Sequence, residues 1–475
     1  PVGCLLGGLA MDVWGRRNMN VAGNIGMATG WLLITFAHNP SMLIYGRIAE
    51  GFSRSVLATC ITVLVDELAA PRYRGFIIGT MLTSVSLGIM AISSLGALVD
   101  WRTASALAAL SPAINVIPLC FVHDSPTWFV RRNRMKEAER ALLWLWGPGN
   151  EEQARAELDS LTARLRPKER NRQTSLLRRQ ITETVRNIFK PRILKPFFII
   201  HLFNILQVPC GLGIFTYYTV DILFLTRREG TEIMDDYSTT VLVSGVRCII
   251  VLISSFLMLR AGRRTLALIS GILSSLSALC LGLILSLNTT QLSSTVSPKL
   301  VASVVFILII MYAGSMSLGF FILPPLMIGE TQPSHIRGFA CGYIYTMNDF
   351  LLGGVVKMYP WMSTTLQIHG LFLFFGISCA LCAIFVYLFL PETQGLTLQQ
   401  IEDYFRQPNV MWITRNRYQN YRKETEGIEV ATTSSTLQRN SATYRLLRRS
   451  YERINKNHEI YRVLWSPPSN ADVKN

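Results

Sequence analysis

The chain has 475 residues, half of them hydrophobic and only 16% charged, with a mean hydropathy of +0.32. Soluble chains carry roughly 25% charged residues, so the composition argues against a soluble globular protein. Its net charge of +16 comes from 46 Lys and Arg against 30 Asp and Glu. These charges are clustered between long apolar stretches, which reads as membrane topology and excludes nucleic-acid binding.

A bilayer-spanning helix needs about 20 predominantly apolar residues, because each backbone polar group must be satisfied within the segment. Such stretches fall near 18–37, 41–65, 75–98, 102–122, 196–224, 238–259, 264–287, 300–328, 338–358 and 368–390. The expectation is an all-α polytopic membrane protein with about ten full spans plus a partial one. The partial one is Pro1–Met11, apolar but too short to cross alone. No Lys, Arg or initiator Met precedes it, so it reads as the remainder of a broken span rather than a signal peptide.

Basic residues orient the chain. With the Gly15-Arg16-Arg17 turn placed in the cytoplasm, the alternating outer loops keep only Arg102, Arg227, Arg228 and Lys299. The sequon Asn288-Thr289-Thr290 then falls in an outer loop, and Asn288 is a candidate glycosylation site. The expected divisions are 1–122, an N-terminal transmembrane half with its start missing; 123–195, a cytoplasmic helical loop; 196–390, a C-terminal transmembrane half; and 391–475, a partly disordered cytoplasmic tail. Within the loop, 136–146, 151–165 and 174–189 read as short amphipathic helices separated by Gly147-Pro148-Gly149 and Pro167. In the tail, 430–442 has a disordered composition, and 444–465 has interfacial-helix character, although a solvated tail is the plainer reading.

The nine cysteines lie in apolar spans, where Cys behaves as a small buried hydrophobe. No Cys or His cluster has metal-ligand spacing, and no cofactor or nucleotide motif is evident. The chain is therefore not expected to be an enzyme.

An internal repeat carries the functional signal. Glu67-Leu-Ala-Ala-Pro-Arg-Tyr-Arg74-Gly75 recurs as Glu330-Thr-Gln-Pro-Ser-His-Ile-Arg337-Gly338, and Gly15-Arg16-Arg17 recurs as Gly262-Arg263-Arg264. Each copy lies at the inner end of a span. A duplicated bundle with a site between its halves is the physical logic of alternating access. The Arg and Glu residues can pair when the protein faces outward and must separate when it faces inward. The expected inner gate comprises Arg16, Arg17, Glu67, Arg74, Arg263, Arg264, Glu330, Arg337 and Glu392. If the pairs lie at the surface, each is worth only about 0–1 kcal/mol.

With these motifs, the chain resembles a sugar porter of the major facilitator superfamily, in particular the facilitated trehalose transporter-like branch of insects. The resemblance runs from Gly7 to about Phe405. It rests on G-G-L-A-M-D-x-x-G-R-R, the E-x6-R-G pair, Asp124-Ser125-Pro126-Thr127-Trp128 in place of P-E-S-P-R-W, and Pro391-Glu392-Thr393-Gln394-Gly395 as P-E-T-x-G. It implies twelve helices in two six-helix halves, an intracellular helical domain over 123–195, and transport of a sugar such as a hexose or trehalose.

The substrate positions depart from that family. Where it reads Q-Q-L-S-G-I-N-x-x-x-Y-Y, this chain keeps Gln207, Tyr217 and Tyr218 but has Val208 and Gly213 for the second Gln and the Asn. Amides match sugar hydroxyls with paired donors and acceptors, so two hydrogen-bonding positions are lost. The Trp of G-P-G-P-I-P-W is absent from Gly319–Pro325, the helix-11 Asn-Trp is Asn348-Asp349, and Arg247 and Leu82 replace a sugar-binding Asn and Gln. Ionisable residues at membrane depth suggest function, and Arg247 and Asp349 are candidates for an ion pair across the cavity. Alternatively, Lys357 neutralises Asp349. Arg47, Glu50 and Arg54 share one helical face and read as structural pairing.

The expected partners are a small solute, most readily sugar-like, and membrane lipid; the oligomeric state stays open. A charged or zwitterionic solute, or a receptor-like sensor that does not transport, is the alternative. Proton coupling is undetermined without helix 1.

Overall fold

The computed structural model describes residues 1–405 apart from 71, 148, 170–190, 227–235, 290–296, 333–336, 397, 399 and 402–404, and every regular element among the described residues is helical. These elements belong to one compact unit, Pro1–Met411. The expected helix at 174–189 and the tail features at 430–442 and 444–465 lie outside the described residues.

In chain order the helices are α1 (Val2–Trp14), α2 (Arg16–Thr35), α3 (Pro40–Leu68), α4 (Arg74–Leu98), α5 (Trp101–Leu119), α6 (Pro126–Arg131), α7 (Met135–Trp146), α8 (Glu151–Glu169) and α9 (Pro191–Gln207). They continue with α10 (Leu212–Tyr217), α11 (Thr219–Thr226), α12 (Asp236–Leu257), α13 (Arg263–Thr289), α14 (Pro298–Leu318), α15 (Leu323–Thr331), α16 (Arg337–Thr365) and α17 (Gln367–Phe389). Among the described residues, six stretches are long and apolar enough to cross a membrane: Pro40–Leu68, Arg74–Leu98, Tyr237–Leu257, Arg263–Leu287, Lys299–Thr331 and Gln367–Phe389. The count of ten from sequence also includes helices that are more polar, proline-bearing or broken. α5 contains Pro112 and Pro118, and α16 carries Arg337, Asp349 and Lys357.

Large apolar side chains line the outside of the helices: Leu98, Phe121, Phe350 and Tyr387 are all exposed. In water this would be an unusually large apolar surface, whereas against lipid it is the expected exterior. Inside, Tyr312 packs edge-on against Phe215 at 5.8 Å and Phe372 at 5.9 Å.

The sequence repeat is also a packing repeat. α2 lies along α3 and α5, and the equivalent α13 lies along α14 and α17. Two long contacts join the earlier helices to the later ones, α4 running along α12 and α1 crossing α16, and α3 adds shorter contacts with α15 and α16. The crossing of α1 and α16 is almost backbone on backbone. A Cβ on Gly8 would come 2.5 Å from the Gly338 carbonyl oxygen, and one on Gly342 would come 2.7 Å from that of Cys4.

Two expected continuous spans are interrupted instead. The run 196–224 breaks after Gln207 into a short 3₁₀ turn, Val208–Cys210, and then Gly211 at φ +92°. Pro209 removes a backbone donor there, and a Cβ on Gly211 would lie 2.6 Å from the Tyr312 hydroxyl. The run 300–328 breaks between Leu318 and Leu323, around Gly319.

In the segment after α5, α7 matches the expected helix. α8 passes through Pro167 to Glu169 rather than stopping before it. Asn288 lies in the last turn of α13 rather than in a loop, and Thr290 is outside the described residues. Six of the nine cysteines are buried, while Cys120 and Cys280 are exposed and Cys248 is intermediate.

Candidate functional site

The expected gate residues fall into two clusters of matching design. In the first, Gly15 ends α1, and the backbone N–H groups of Arg16 and Arg17 open α2 by donating to Asp124 Oδ1 and Oδ2 at 3.1 and 3.2 Å. In the second, the N–H groups of Arg263 and Arg264 open α13 by donating to Glu392 Oε1 and Oε2 at 2.9 and 3.1 Å. A helix N-terminus has unsatisfied N–H groups and a positive dipole end, so a carboxylate there is the natural cap. Burial pushes the Asp124 carboxyl up from its usual range, against the pull of these N–H groups and of Arg16.

The first arginine of each turn points inward and is fully buried. Arg16 pairs with Glu67 at 3.2 Å and with Asp12 at 2.9 Å, and donates to the Met11 carbonyl. Its counterpart Arg263 pairs with Glu330 at 3.6 Å and donates to the Met258 carbonyl. The second arginine of each turn caps a neighbouring helix end. Arg17 donates to the Leu119 and Cys120 carbonyls at the end of α5, and Arg264 donates to the Tyr387 carbonyl near the end of α17.

Between the two clusters, Arg337 at the start of α16 reaches Glu67 on α3 at 4.0 Å. Arg74 donates to the Leu396 carbonyl instead of pairing with an acid. The main correction concerns burial, since Arg16, Glu67, Arg263, Glu330 and Arg337 are each at most 2% exposed on their side chains. These are interior charges, and the small value expected for surface pairs does not apply. Breaking a buried pair by removing one partner costs about 3–5 kcal/mol, because it strands the other charge.

Sequence reading passed over several members of the clusters. Asp12, Asp124 and Thr393, which donates to Glu330 at 2.6 Å, were only motif letters. Asp66 is fully buried against Gly329, and neither of its carboxylate oxygens has a hydrogen-bond partner. Its position next to Glu67 was the only hint.

The substrate candidates separate into two places. Gln207, Arg247 and Tyr218 lie around the helix breaks. Gln207 donates its amide to the Phe320 carbonyl at 3.1 Å, tying one break to the other. Exposed backbone at membrane depth is tolerated only where other groups satisfy it. Here Ser270 donates to the Ser315 carbonyl at 2.6 Å and accepts from the Phe320 N–H at 3.2 Å, Ser254 donates to the Leu318 carbonyl, and the Tyr312 hydroxyl donates to the Cys210 carbonyl. Arg247 sits at the midpoint of α12, 4% exposed, donating to Thr216 Oγ1 at 3.1 Å and Ser317 Oγ at 3.4 Å. Tyr218 stacks on Tyr359 at 4.2 Å, whereas Tyr217 is exposed.

Asn348 and Asp349 lie elsewhere, where α16 meets α1 and α3. Asp349 accepts from Ser55 at 3.3 Å and from the Cys4 thiol at 3.4 Å, and Asn348 Oδ1 is buried without a partner. The expected Arg247–Asp349 pair does not form: Arg247 donates to Thr216 and Ser317, while Asp349 accepts from Ser55 and Cys4 and lies 3.8 Å from the Pro1 amino group. Exposed Lys357 makes no ion pair with Asp349. Arg47 pairs with Glu50 at 3.1 Å and lies over the Trp31 ring at 5.6 Å, without Arg54.

An all-helical multi-pass arrangement with broken helices and duplicated charged clusters defines a membrane protein of the major facilitator type. The chain belongs to the family described as sugar (and other) transporter, which it matches over residues 1–405. It is 30% identical over 409 residues to the facilitated trehalose transporter Tret1 of Drosophila grimshawi, covering 85% of this chain but 42% of that protein. To the Tret1 of Culex quinquefasciatus it is 30% identical over 404 residues, covering 84% and 74%. The chain thus spans less than half the length of some relatives it matches. Among solved structures, it superposes on the proton:xylose symporter XylE bound to 6-bromo-6-deoxy-D-glucose with a TM-score of 0.71 at 17% identity, covering 85% of this chain and 86% of that one. On the inward-open form of XylE from E. coli the TM-score is 0.59, with the same coverage.

Proposed function

We propose that the protein moves a small polar, sugar-like solute across a membrane by alternating access, with the two charged clusters as its inner gate. The observation that carries this reading is the duplicated Arg–Glu geometry, joined across the two helix sets by Arg337 and Glu67. A buried cluster built twice and bridged once can hold one side shut and release it as a unit. The family supports a transporter rather than an enzyme, and the named relatives support a sugar. In this reading the transmembrane halves are 1–122 and 196–390, and the protein resides in the plasma membrane. Asn288 is available for glycosylation outside, and 123–195 and 391–475 face the cytoplasm.

Counterflow into liposomes loaded with unlabelled glucose or trehalose tests transport. The full-length protein should concentrate labelled sugar transiently, and a folded protein that concentrates no solute would favour the sensor reading. Orientation is tested separately in intact cells with a membrane-impermeant thiol reagent. A cysteine placed near residue 160 should stay unlabelled and one near 232 should label; the reverse pattern would invert the topology.

A further inference from the structure

Arg247 is the buried charge that the proposed gate does not use. It is the only strongly buried Lys or Arg among the described residues of α9–α17 outside the rim clusters. Its partners are two neutral hydroxyls, Thr216 just after the first helix break and Ser317 just before the second. The Phe321 ring lies 5.9 Å from its guanidinium carbon. No carboxylate lies within ion-pair distance of it among the described residues. Asp349, the acid expected to neutralise it, is engaged with Ser55 and Cys4.

A guanidinium has five N–H donors in a planar fork. Here Nε and Nη1 each donate once, and the remaining donors, including both on Nη2, have no acceptor among the described residues. An interior cation is normally paired, because its desolvation far exceeds what hydroxyl acceptors return. The two hydroxyls also aim the fork: Nε is fixed by α14 and Nη1 by α10, which leaves the Nη2 edge open. That edge has the geometry for a bidentate or forked contact with a planar carboxylate or with a phosphate.

The position adds a second argument. Arg247 lies between the two helix breaks, next to the Gln207–Phe320 link that joins them. Interrupted helices at mid-membrane are where solute sites form in transporters, since only there does irregular backbone meet a polar ligand. Hydroxyl and amide groups around the breaks suit a polyhydroxylated body, and the cation suits one negative group on it.

We infer that Arg247 is a specificity-determining residue that receives the anionic group of the solute, so that the cargo is a hydroxylated carboxylate or phosphate rather than a neutral sugar. This rests on the transport reading for the word cargo, but the binding claim stands on Arg247 itself.

The test uses purified full-length protein in nanodiscs at constant ionic strength. D-glucose, D-glucuronate and glucose 6-phosphate are titrated, with tryptophan quenching and thermal shift as readouts. A charge-assisted contact is worth about 1.5–3 kcal/mol, so at least one of the two anions should bind roughly 10–100-fold more tightly than glucose. Whichever anion wins identifies the group as carboxylate or phosphate. Arg247→Asn should bring the anion-to-glucose ratio to about one or below, while Arg247→Lys, which keeps the charge without the fork, should retain part of the preference. Wild-type protein that binds glucose as tightly as both anions overturns the inference, whether or not the variants fold. So does an Asn variant with an undiminished anion preference. Counterflow of the preferred anion separates this from the transport reading: anion preference without counterflow of that anion defeats transport alone, and glucose counterflow without anion preference defeats the Arg247 assignment alone.

Discussion

Glu67→Gln should shift the protein away from the closed inner rim by about a hundredfold or more, from the 3–5 kcal/mol lost when a buried pair is broken. Glu67 is the one acid in the cluster with ion-pair contacts to two arginines, Arg16 at 3.2 Å and Arg337 at 4.0 Å. Gln keeps the shape but cannot balance either charge, so Arg16 is left with Asp12 alone and Arg337 with the Gln332 carbonyl. Both charges regain water only if the rim opens. Cys341 is a native reporter, because its thiol is fully buried and directed at the Ile328 carbonyl in the closed arrangement. In a background where the other cysteines are replaced, an impermeant maleimide applied to the inner side should label Cys341 much faster in Glu67→Gln than in the parent. Equal labelling rates would remove Glu67 from the gate. Glu330→Gln should act in the same direction, through Arg263 and Thr393.

Gly342→Leu should cut counterflow severely without abolishing the fold. α1 and α16 cross where Gly8, Gly338 and Gly342 leave no room for side chains, and a Cβ at Gly342 already approaches the Gly8 Cα at 3.1 Å. The obstruction is backbone, which cannot rotate aside as a side chain can. Overpacking of this kind costs about 1–3 kcal/mol where neighbours can shift, and here the relief available is separation of the two helices. The crossing lies near Arg337 and joins the earlier helices to the later ones, so separation there is the movement that the proposed gate requires to open. Exchange should fall roughly tenfold or more, Cys341 should become accessible, and the helical circular dichroism signal should be retained. Gly342→Ala should show a milder form of both effects. Undiminished counterflow in the Leu variant would show that the helices do not need this approach.

The membrane class, the helical content and the repeat were legible along the chain because each is written in local or periodic terms. Apolar length reports the bilayer, and E-x6-R-G appearing twice reports a duplicated charged edge. Matching turns at Gly15 and Gly262 announced two copies of one motif, and in the structure each opens a helix whose first N–H groups meet a carboxylate. The acids that do the capping, Asp124 and Glu392, are far away in the chain from the turns they cap. Only Glu392 was chosen from sequence, because its motif ends the last helix.

Other features had no local signature. A 3.6-residue apolar pattern passes unbroken through Val208–Gly211 and Gly319–Ile322, since a helix break inside the protein keeps its apolar side chains. What makes those breaks tolerable is hydroxyl groups on other helices: Ser254, Ser270 and Tyr312. Charge along the chain likewise showed that Arg247 and Asp349 were unusual but not where each would find partners.

By itself, then, the sequence determined that this chain is a multi-pass helical protein with a duplicated charged edge, because hydrophobic length and repeated spacing are properties of adjacent residues. Only the tertiary structure decided that the edge charges are buried rather than surface pairs. It alone decided that Arg337 and Glu67 bridge the helix sets, and that Arg247 is left with hydroxyls while Asp349 turns to Ser55 and Cys4. Burial and pairing depend on which helices meet, and at these crossings that depends on residues as small as Gly8 and Gly342, through the space they leave between two backbones.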